Sequence, residues 1–455
     1  MRLRLEEGRE GEPELVAQHF SRAGQFIESC RFWHAAADFA AGRSSYVEAV
    51  ASLGRALEDA AQIADAATRG QTRLDTYLKL GTNHLIQQGP LSPNVETVLS
   101  EARAIAREFG SDQQLFQATW GLYINAATTR RFELARERVD ELVVIGERLR
   151  DEDITVESLH HRWGYAFFTG QTRGFLAFAE EGMKRYVPHR QHRNAHVSSF
   201  HDVGVCAQCN LGIAHGLLGN LSESKLRLTE AAHFAESSDH PNSIQFGLGI
   251  ASFGMHVAGF YAECGDYVRR QLEIAKRYDL PMAVATAKFF LAATEVRADP
   301  TGTPLKVMEE NVGAALKAGF FILMPGAILA EALSKADRTG EGLVFLDRLL
   351  DSTRDPEVGS FMSELWRLRG EFTWRASPNQ KDLGERYLRA ALNIAISQEA
   401  CQLRLRAALS LARLLGEDGR REEACGLLIA ARDDLPLTCN SNERNEAVQL
   451  IAELA

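Results

Sequence analysis

SLARLLGEDGRREEACGLL, residues 410–428, is the stretch on which the fold turns. Ala412 is small, Ala424 twelve positions on is small again, Leu428 follows four later and Ala431 three beyond that. Small residues let two antiparallel helices approach closely, and the apolar positions bury the shared face. The same spacing returns at Gly212, Ser224, Leu228 and Ala231, and again at Ala330, Gly342, Leu346 and Leu349. A chain built this way is a stack of helix hairpins.

This is the packing pattern of a tetratricopeptide (TPR) helix pair. The sequence therefore predicts an all-α fold, a TPR-like helical-hairpin solenoid curved into a right-handed superhelix. Almost every segment shows helical period and none alternates. Leu15, His19, Phe20 and Ala23 line one face near the start; Phe32, Trp33, Ala36 and Ala37 line the next helix, and Tyr46, Ala49, Leu53, Ala56 and Leu57 continue. QQGPLSPN is a turn before Val95, Val98, Leu99, Ala102 and Ala106. Further pairs are expected over 114–148, 156–185, 203–236, 244–278, 282–318, 327–350, 361–397 and 402–433. The apolar second-helix position recurs at Val139, Leu228, Leu346, Leu388 and Leu428. Late units lie about 40 residues apart, longer than the ~34 of a minimal repeat, which implies longer helices.

Residues 186–202, YVPHRQHRNAHVSSFHD, break the period and read as an irregular loop. The expected division is 1–185 as N-terminal repeats, 186–202 as that loop and 203–455 as C-terminal repeats, in one continuous solenoid. Length alone suggests about three domains, but in a solenoid each repeat contacts only its neighbours and the core is continuous.

The chain has 455 residues, 45% apolar and 25% charged, with a formal net charge of -10. Nucleic-acid binding draws much of its affinity from cationic contacts to phosphate, so this acidic balance argues against it. Seven cysteines are sparse and odd in number, which argues against a disulfide framework and for a reducing compartment. The first twenty residues lack the apolar core of a signal peptide. GFFILMPGAILA, 319–330, is too short to span a bilayer and holds Pro325. The expectation is a cytoplasmic protein with no membrane partner.

No GxSxG, HExxH or GxxxxGK[ST] is present, and no Ser has a His/Asp entourage. No catalytic residue, metal site or cofactor is expected. Cys206 and Cys209 form a CxxC flanked by His201 and His215, but a second ligand pair is missing and small buried-type cysteines are common in cores. His189, His192, His196 and His201 read as a polar exposed loop, with pH sensing as the alternative. Asp202 precedes the Cys206 helix and reads as its N-cap.

TPR stacks bind extended or helical segments through the first helix of each pair. In that frame Glu364, Arg367, Glu371, Trp374 and Arg375 share one groove stretch, followed by Arg406 and Arg413 in the next unit. Both signs of charge with an aromatic anchor suit peptide recognition. The opposing reading has Trp374 closing the hairpin and the charges merely solvated. Upstream, His161, Tyr165, Phe168, Cys206, Cys209 and Ile213 read either as a ligand pocket or as helical core.

The chain resembles the C-terminal TPR region of large bacterial signalling proteins. In that family a class III adenylate/guanylate cyclase domain or a winged-helix DNA-binding domain precedes a P-loop ATPase module and this helical region. The resemblance rests on AQHFSRAGQFIESCRFWHAA (17–36), RSSYVEAVASLGRALE (43–58), LKLGTNHLIQQG (78–89), HDVGVCAQCNLGIAHGLLGN (201–220), LWRLRGEFTW (365–374) and SLARLLGEDGRREEACGLL (410–428). These motifs are structural and none is catalytic. The phosphate loop and the cyclase domain are missing here, so the activity implied by the resemblance belongs to other domains. The chain is then expected to be a free-standing TPR protein or the separated tail of a larger regulator. The expected function is a non-catalytic regulatory scaffold of bacterial signal transduction that binds a protein partner: a cyclase, an ATPase or a transcription regulator. A small-molecule-sensing module stays open as the alternative. The sequence leaves the oligomeric state open.

Overall fold

The computed structural model describes residues 13–43, 45–188, 201–238, 240–317, 323–351, 355 and 357–455. Residues 189–200, with His189, His192 and His196, lie outside them, as do 318–322 of the apolar run. Among the described residues there are 22 α-helices and no strand. In chain order they are α1 (Pro13–Arg22), α2 (Phe26–Gly42), α3 (Tyr46–Ala60), α4 (Ala66–Gln88), α5 (Pro93–Phe109), α6 (Asp112–Thr128) and α7 (Phe132–Leu149). Then come α8 (Glu152–Thr169), α9 (Thr172–Arg185), α10 (Val203–Leu217), α11 (Leu221–Glu236), α12 (Pro241–Val257), α13 (Tyr261–Arg277), α14 (Pro281–Glu295) and α15 (Thr303–Lys317). The series ends with α16 (Leu323–Lys335), α17 (Thr339–Asp351), α18 (Met362–Ala376), α19 (Lys381–Ser397), α20 (Cys401–Glu417), α21 (Arg421–Asp433) and α22 (Asn442–Leu454).

Helix starts are written in the sequence. Ser111 and Gln114 form a reciprocal capping box on α6, and Ser92 caps α5 with Pro93 at its first position. Asp202 caps α10 as expected, accepting from the amides of Gly204 at 2.8 Å and Val205 at 3.1 Å. Between α20 and α21, Gly419 takes φ +74°, a left-handed conformation that L side chains rarely adopt.

The described residues fall into two compact units. The first holds the residues up to His161 together with Lys276–Met282; the second holds those from Arg162 to Ala275 and from Ala283 to Ala455. In both, consecutive helices pack as hairpins, α2 with α3, α4 with α5 and α6 with α7 in the first, α10 with α11 and α16 through α21 pairwise in the second. Even-numbered helices also touch one another: α2 with α4 and α4 with α6, then α10 with α12 and α16 with α18, α20 and α22 in succession. Hairpins stacked on their neighbours are the packing the repeat spacing requires.

The recurrent small and apolar positions form the packing seam. Ala412, Ala424, Leu428 and Ala431 are fully buried, as are Ser224, Leu228 and Ala231, and Ala330, Leu346 and Leu349. Ser224 donates its hydroxyl to the Gly212 carbonyl at 2.7 Å across the hairpin. In α18–α19 the approach is closer still: a Cβ on Gly370 would lie 2.9 Å from the Gly384 carbonyl oxygen. A short 3-10 turn, Pro378–Gln380, precedes α19, so here the two small residues sit fourteen apart in sequence.

Within the second unit, segments far apart in sequence also meet. α10 touches α20, and Leu221 belongs to the apolar cluster of α19–α21 that Ala258 and Phe260 pack against. Phe361 is buried with φ +74° and stands edge-on to Phe167 and Phe253. Gln398 donates to the Gly359 carbonyl at 3.1 Å.

Candidate functional site

Four even-numbered helices of the second unit, α16, α18, α20 and α22, carry one aligned stripe each. On α16 it is Met324, Ala327, Ile328 and Glu331, and on α18 Glu364 and Arg367. On α20 it is Arg406, Leu409, Ser410 and Arg413, and on α22 Glu443 and Glu446. These are i, i+3, i+4, i+7 spacings, one face of each helix. With His256 at the end of α12 and Tyr261 at the start of α13 they line a cavity of about 200 Å³.

Its wall is an ion network. Arg367 holds Glu364 with two nitrogens, at 2.6 and 3.0 Å, and reaches Glu371 at 2.8 Å and the Ser410 hydroxyl at 3.2 Å. Ser410 donates to Glu371 at 3.0 Å, and Arg375 meets the other oxygen of Glu371 at 2.8 Å. Arg406 donates to Glu443 at 3.0 Å and to the Val257 carbonyl at 3.3 Å, while Gln402 takes the second Glu443 oxygen at 3.1 Å. Arg413 pairs with Glu446. Burial opposes ionisation of Glu364, but Arg367 more than offsets it, so its carboxyl titrates below the usual range. Burial likewise opposes the Arg367 charge, and Glu364 and Glu371 overcome it. The pairs stay ionised.

Three groups at the cavity are less committed. His256 is 9% exposed and its Nδ1 is buried without a hydrogen-bond partner. Burial lowers its pKa to about 4, with Glu331 opposing this and Arg406, Arg297 and Lys335 adding to it. The ring is therefore neutral at pH 7, edge-on to Tyr261 at 5.1 Å and to Phe290 at 5.9 Å. Tyr261 stacks under the Arg297 guanidinium at 3.8 Å. Glu331 meets Lys335 at 3.1 Å, and both side chains are half exposed.

The sequence-predicted groove residues divide accordingly. Glu364, Arg367, Arg406 and Arg413 come together on the cavity wall, and Glu371 and Arg375 stand behind Arg367. Trp374 does not line the cavity. Its Cβ and ring edge abut Gly384 of α19, it packs on the α19–α21 cluster, and its indole N–H is buried without a partner. Trp374 thus packs against its own partner helix, α19. His256, Tyr261, Glu331, Glu443 and Glu446 join the site without having been foreseen from the repeat frame.

The second sequence-predicted set lies on α8 and α10. His161 is buried in the first unit, edge-on to Phe116, Trp120 and Tyr123. Tyr165 and Phe168 are half buried on α8. On α10, Cys206, Cys209 and Ile213 are buried: Asn210 donates to the Cys206 carbonyl at 2.7 Å, and the Cys209 thiol approaches the Gly247 carbonyl at 3.6 Å. Burial pushes the Cys209 thiol well above its ordinary pKa. His201, expected on an exposed loop, is instead buried and stacked on Phe246 at 3.7 Å. No helix among the described residues is long and apolar enough to cross a membrane.

No protein-family model matches the chain, and no curated protein matches it. Solved structures do. A Rap protein complexed with competence and sporulation factor is 12% identical, with 96% of this chain and all of that one aligned at a TM-score of 0.46. Yeast Tom70 is 10% identical, over 97% of this chain and 94% of its own, at 0.37. A signal transduction ATPase with numerous domains and a TPR sensor, from Pyrococcus horikoshii, is 10% identical over 75% of this chain and 53% of its own, at 0.40. The all-α assignment rests on the helix packing described above.

Proposed function

We propose that the chain is a non-catalytic regulatory scaffold whose second unit binds a partner polypeptide, seating one cationic side chain in the cavity between α12, α16, α18, α20 and α22. One observation carries this reading. The charges that reach solvent at the cavity are mostly carboxylates: Glu331 is 50% exposed, Glu446 47% and Glu443 25%, against 32% for Arg413. Arg367 and Arg406 are tied into the wall at 12% and 17% exposure. A neutral His256 with a free ring nitrogen adds a hydrogen-bond site deeper in. Electrostatic complementarity of this kind selects partners by sign. The resemblance to the helical regions of cyclase- and ATPase-linked regulators supports seeking the partner among signalling proteins.

A second reading, a sensor of a small cationic metabolite, is favoured by the cavity's size. Its volume of about 200 Å³ lies below the ~300–1,000 Å³ of drug-sized ligand sites, and suits a single side chain or an amine of that bulk.

Panning a random peptide library on the purified chain is expected to enrich lysine- or arginine-containing sequences. Reversing the charge with Glu331→Lys should weaken the selected peptides at least tenfold, about 1.4 kcal/mol. Glu133→Lys, on an 87% exposed side chain of α7, should leave them unchanged. Thermal stabilisation by free alkylamines, with no peptide enriched, would support the sensor reading. Neither response, or peptides that ignore Glu331→Lys, would remove the site.

A further inference from the structure

A second cavity, in the first unit, carries the opposite charge. Two helices present facing stripes. On α5 the stripe is Glu96, Ser100, Arg103 and Arg107; along α7 and its N-cap it is Arg131, Leu134, Arg138 and Glu141. Between them, floored by Leu122 and Asn125 of α6, lies a cavity of about 90 Å³. Its charged lining is three arginines, 103, 131 and 138, against one carboxylate, Glu96.

The neighbouring ion pairs leave these arginines unequally served. Glu141 is shared by three guanidinium groups: Arg103 holds it at 2.8 Å, Arg107 at 2.9 Å and Arg138 only at 3.5 Å. Arg131 is satisfied by Glu96 at 2.6 Å and the Asn125 side-chain oxygen at 2.5 Å. Arg138 is 17% exposed and Arg103 16%, so both are largely withdrawn from water. Burial and the Arg103 charge both weigh on Arg138, while Glu141 and Glu137 relieve it only in part. Arg103 spends its Nε and one terminal nitrogen on Glu141, at 2.8–3.2 Å, whereas Arg138 has only the 3.5 Å contact, so its guanidinium is the least engaged at the cavity. Arginine is suited to supply bidentate bonds to phosphate oxygens. Ser100, exposed at the cavity edge, adds a hydroxyl. A space of 90 Å³ is several times the ~10–15 Å³ that one water needs, enough for a phosphoryl group but not for a nucleotide.

We infer that the cavity between α5 and α7 binds a phosphoryl oxyanion, free or carried on a larger molecule, through Arg103, Arg138 and Ser100. In a chain of net charge -10 this is a local reversal of sign, which suits it to discriminate an anion from the bulk.

Calorimetric titration of the full chain with inorganic phosphate at low ionic strength tests the site. Binding is expected, falling as salt is raised. Arg138→Gln should weaken it at least tenfold. Arg148→Gln, which removes a pair with Asp112 outside the cavity, should not change it. If Arg138→Gln fails to fold by circular dichroism, Ser100→Asp replaces it. That change places a carboxylate at the exposed edge of the cavity and should abolish phosphate binding in a folded chain. O-phosphoserine binding more tightly than inorganic phosphate assigns the group to a larger molecule, and the reverse order assigns it to the free ion; either supports the site. No phosphate binding by the unaltered chain, or unaltered affinity in both Arg138→Gln and Ser100→Asp, would overturn it.

Discussion

Arg367→Met is expected to destabilise the second unit by about 3–5 kcal/mol in chemical denaturation at pH 7, the range seen when one partner of a buried ion pair is removed. The side chains of Glu364 and Glu371 are 6% and 12% exposed, and Arg367 is the ion-pair partner of both. Removing it leaves two carboxylates facing each other in a wall from which water is largely excluded. Glu371 keeps Arg375 at 2.8 Å and Ser410 at 3.0 Å, so most of the loss falls on Glu364. Glu364→Leu in the same chain should therefore restore most of the stability, because an apolar pair of similar volume does not need the charge it replaces. A single variant within 1 kcal/mol of the parent, or a double variant as weak as the single, would show that the network does not hold this wall.

Acid should weaken the fold through His256. In the unfolded chain its imidazole has an ordinary pKa of 6.5; in the folded chain burial lowers it to about 4. Between those values the unfolded state takes up a proton that the folded state refuses. The stability linked to His256 is thus fully present above pH 6.5 and is lost as pH falls towards 4. Each pH unit separating the two values is worth about 1.4 kcal/mol, so the change between pH 7.5 and 4.5 is about 2–3 kcal/mol from this residue. His256→Phe keeps the ring against Tyr261 and Phe290 and cannot titrate. Its unfolding free energy should fall less over the same range by that amount. His161, held well below its ordinary pKa by burial and by His160, contributes further to the remaining slope. Equal pH dependence in the parent and in His256→Phe would contradict the assignment.

Local pattern made the hairpins legible, because a helix pair is fixed by residues within about 20 positions of one another. Ala412, Ala424, Leu428 and Ala431 predicted a seam, and all four are fully buried. The same reasoning placed Glu364, Arg367, Arg406 and Arg413 on one surface. It failed where the cavity depends on distant segments. Arg406 reaches the carbonyl of Val257, 149 residues away, and nothing in the repeat spacing brings α12 to α20. His256 and Tyr261 were invisible for that reason. α22 was missed because its only fully buried residue is Ala447, so its periodic signal is weak. Ser441 as N-cap and the run Ala447, Leu450, Ile451, Leu454 would have marked it, and with it Glu443 and Glu446. Trp374 was ambiguous because an aromatic on a first helix can face either the stack interior or its own partner helix. The glycine at 384 that receives it sits outside the twelve-residue spacing.

The proposed binding surface lies on α16, α18, α20 and α22 of the second unit. Amide hydrogen exchange on the full chain, with and without a cationic peptide selected by panning, tests it most directly. Slowed exchange is expected at the C-terminal end of α12 and along α16, α18, α20 and α22, with α17, α19 and α21 unchanged. Protection centred on α17, α19 and α21, or none anywhere in the second unit while the peptide is bound, would contradict it.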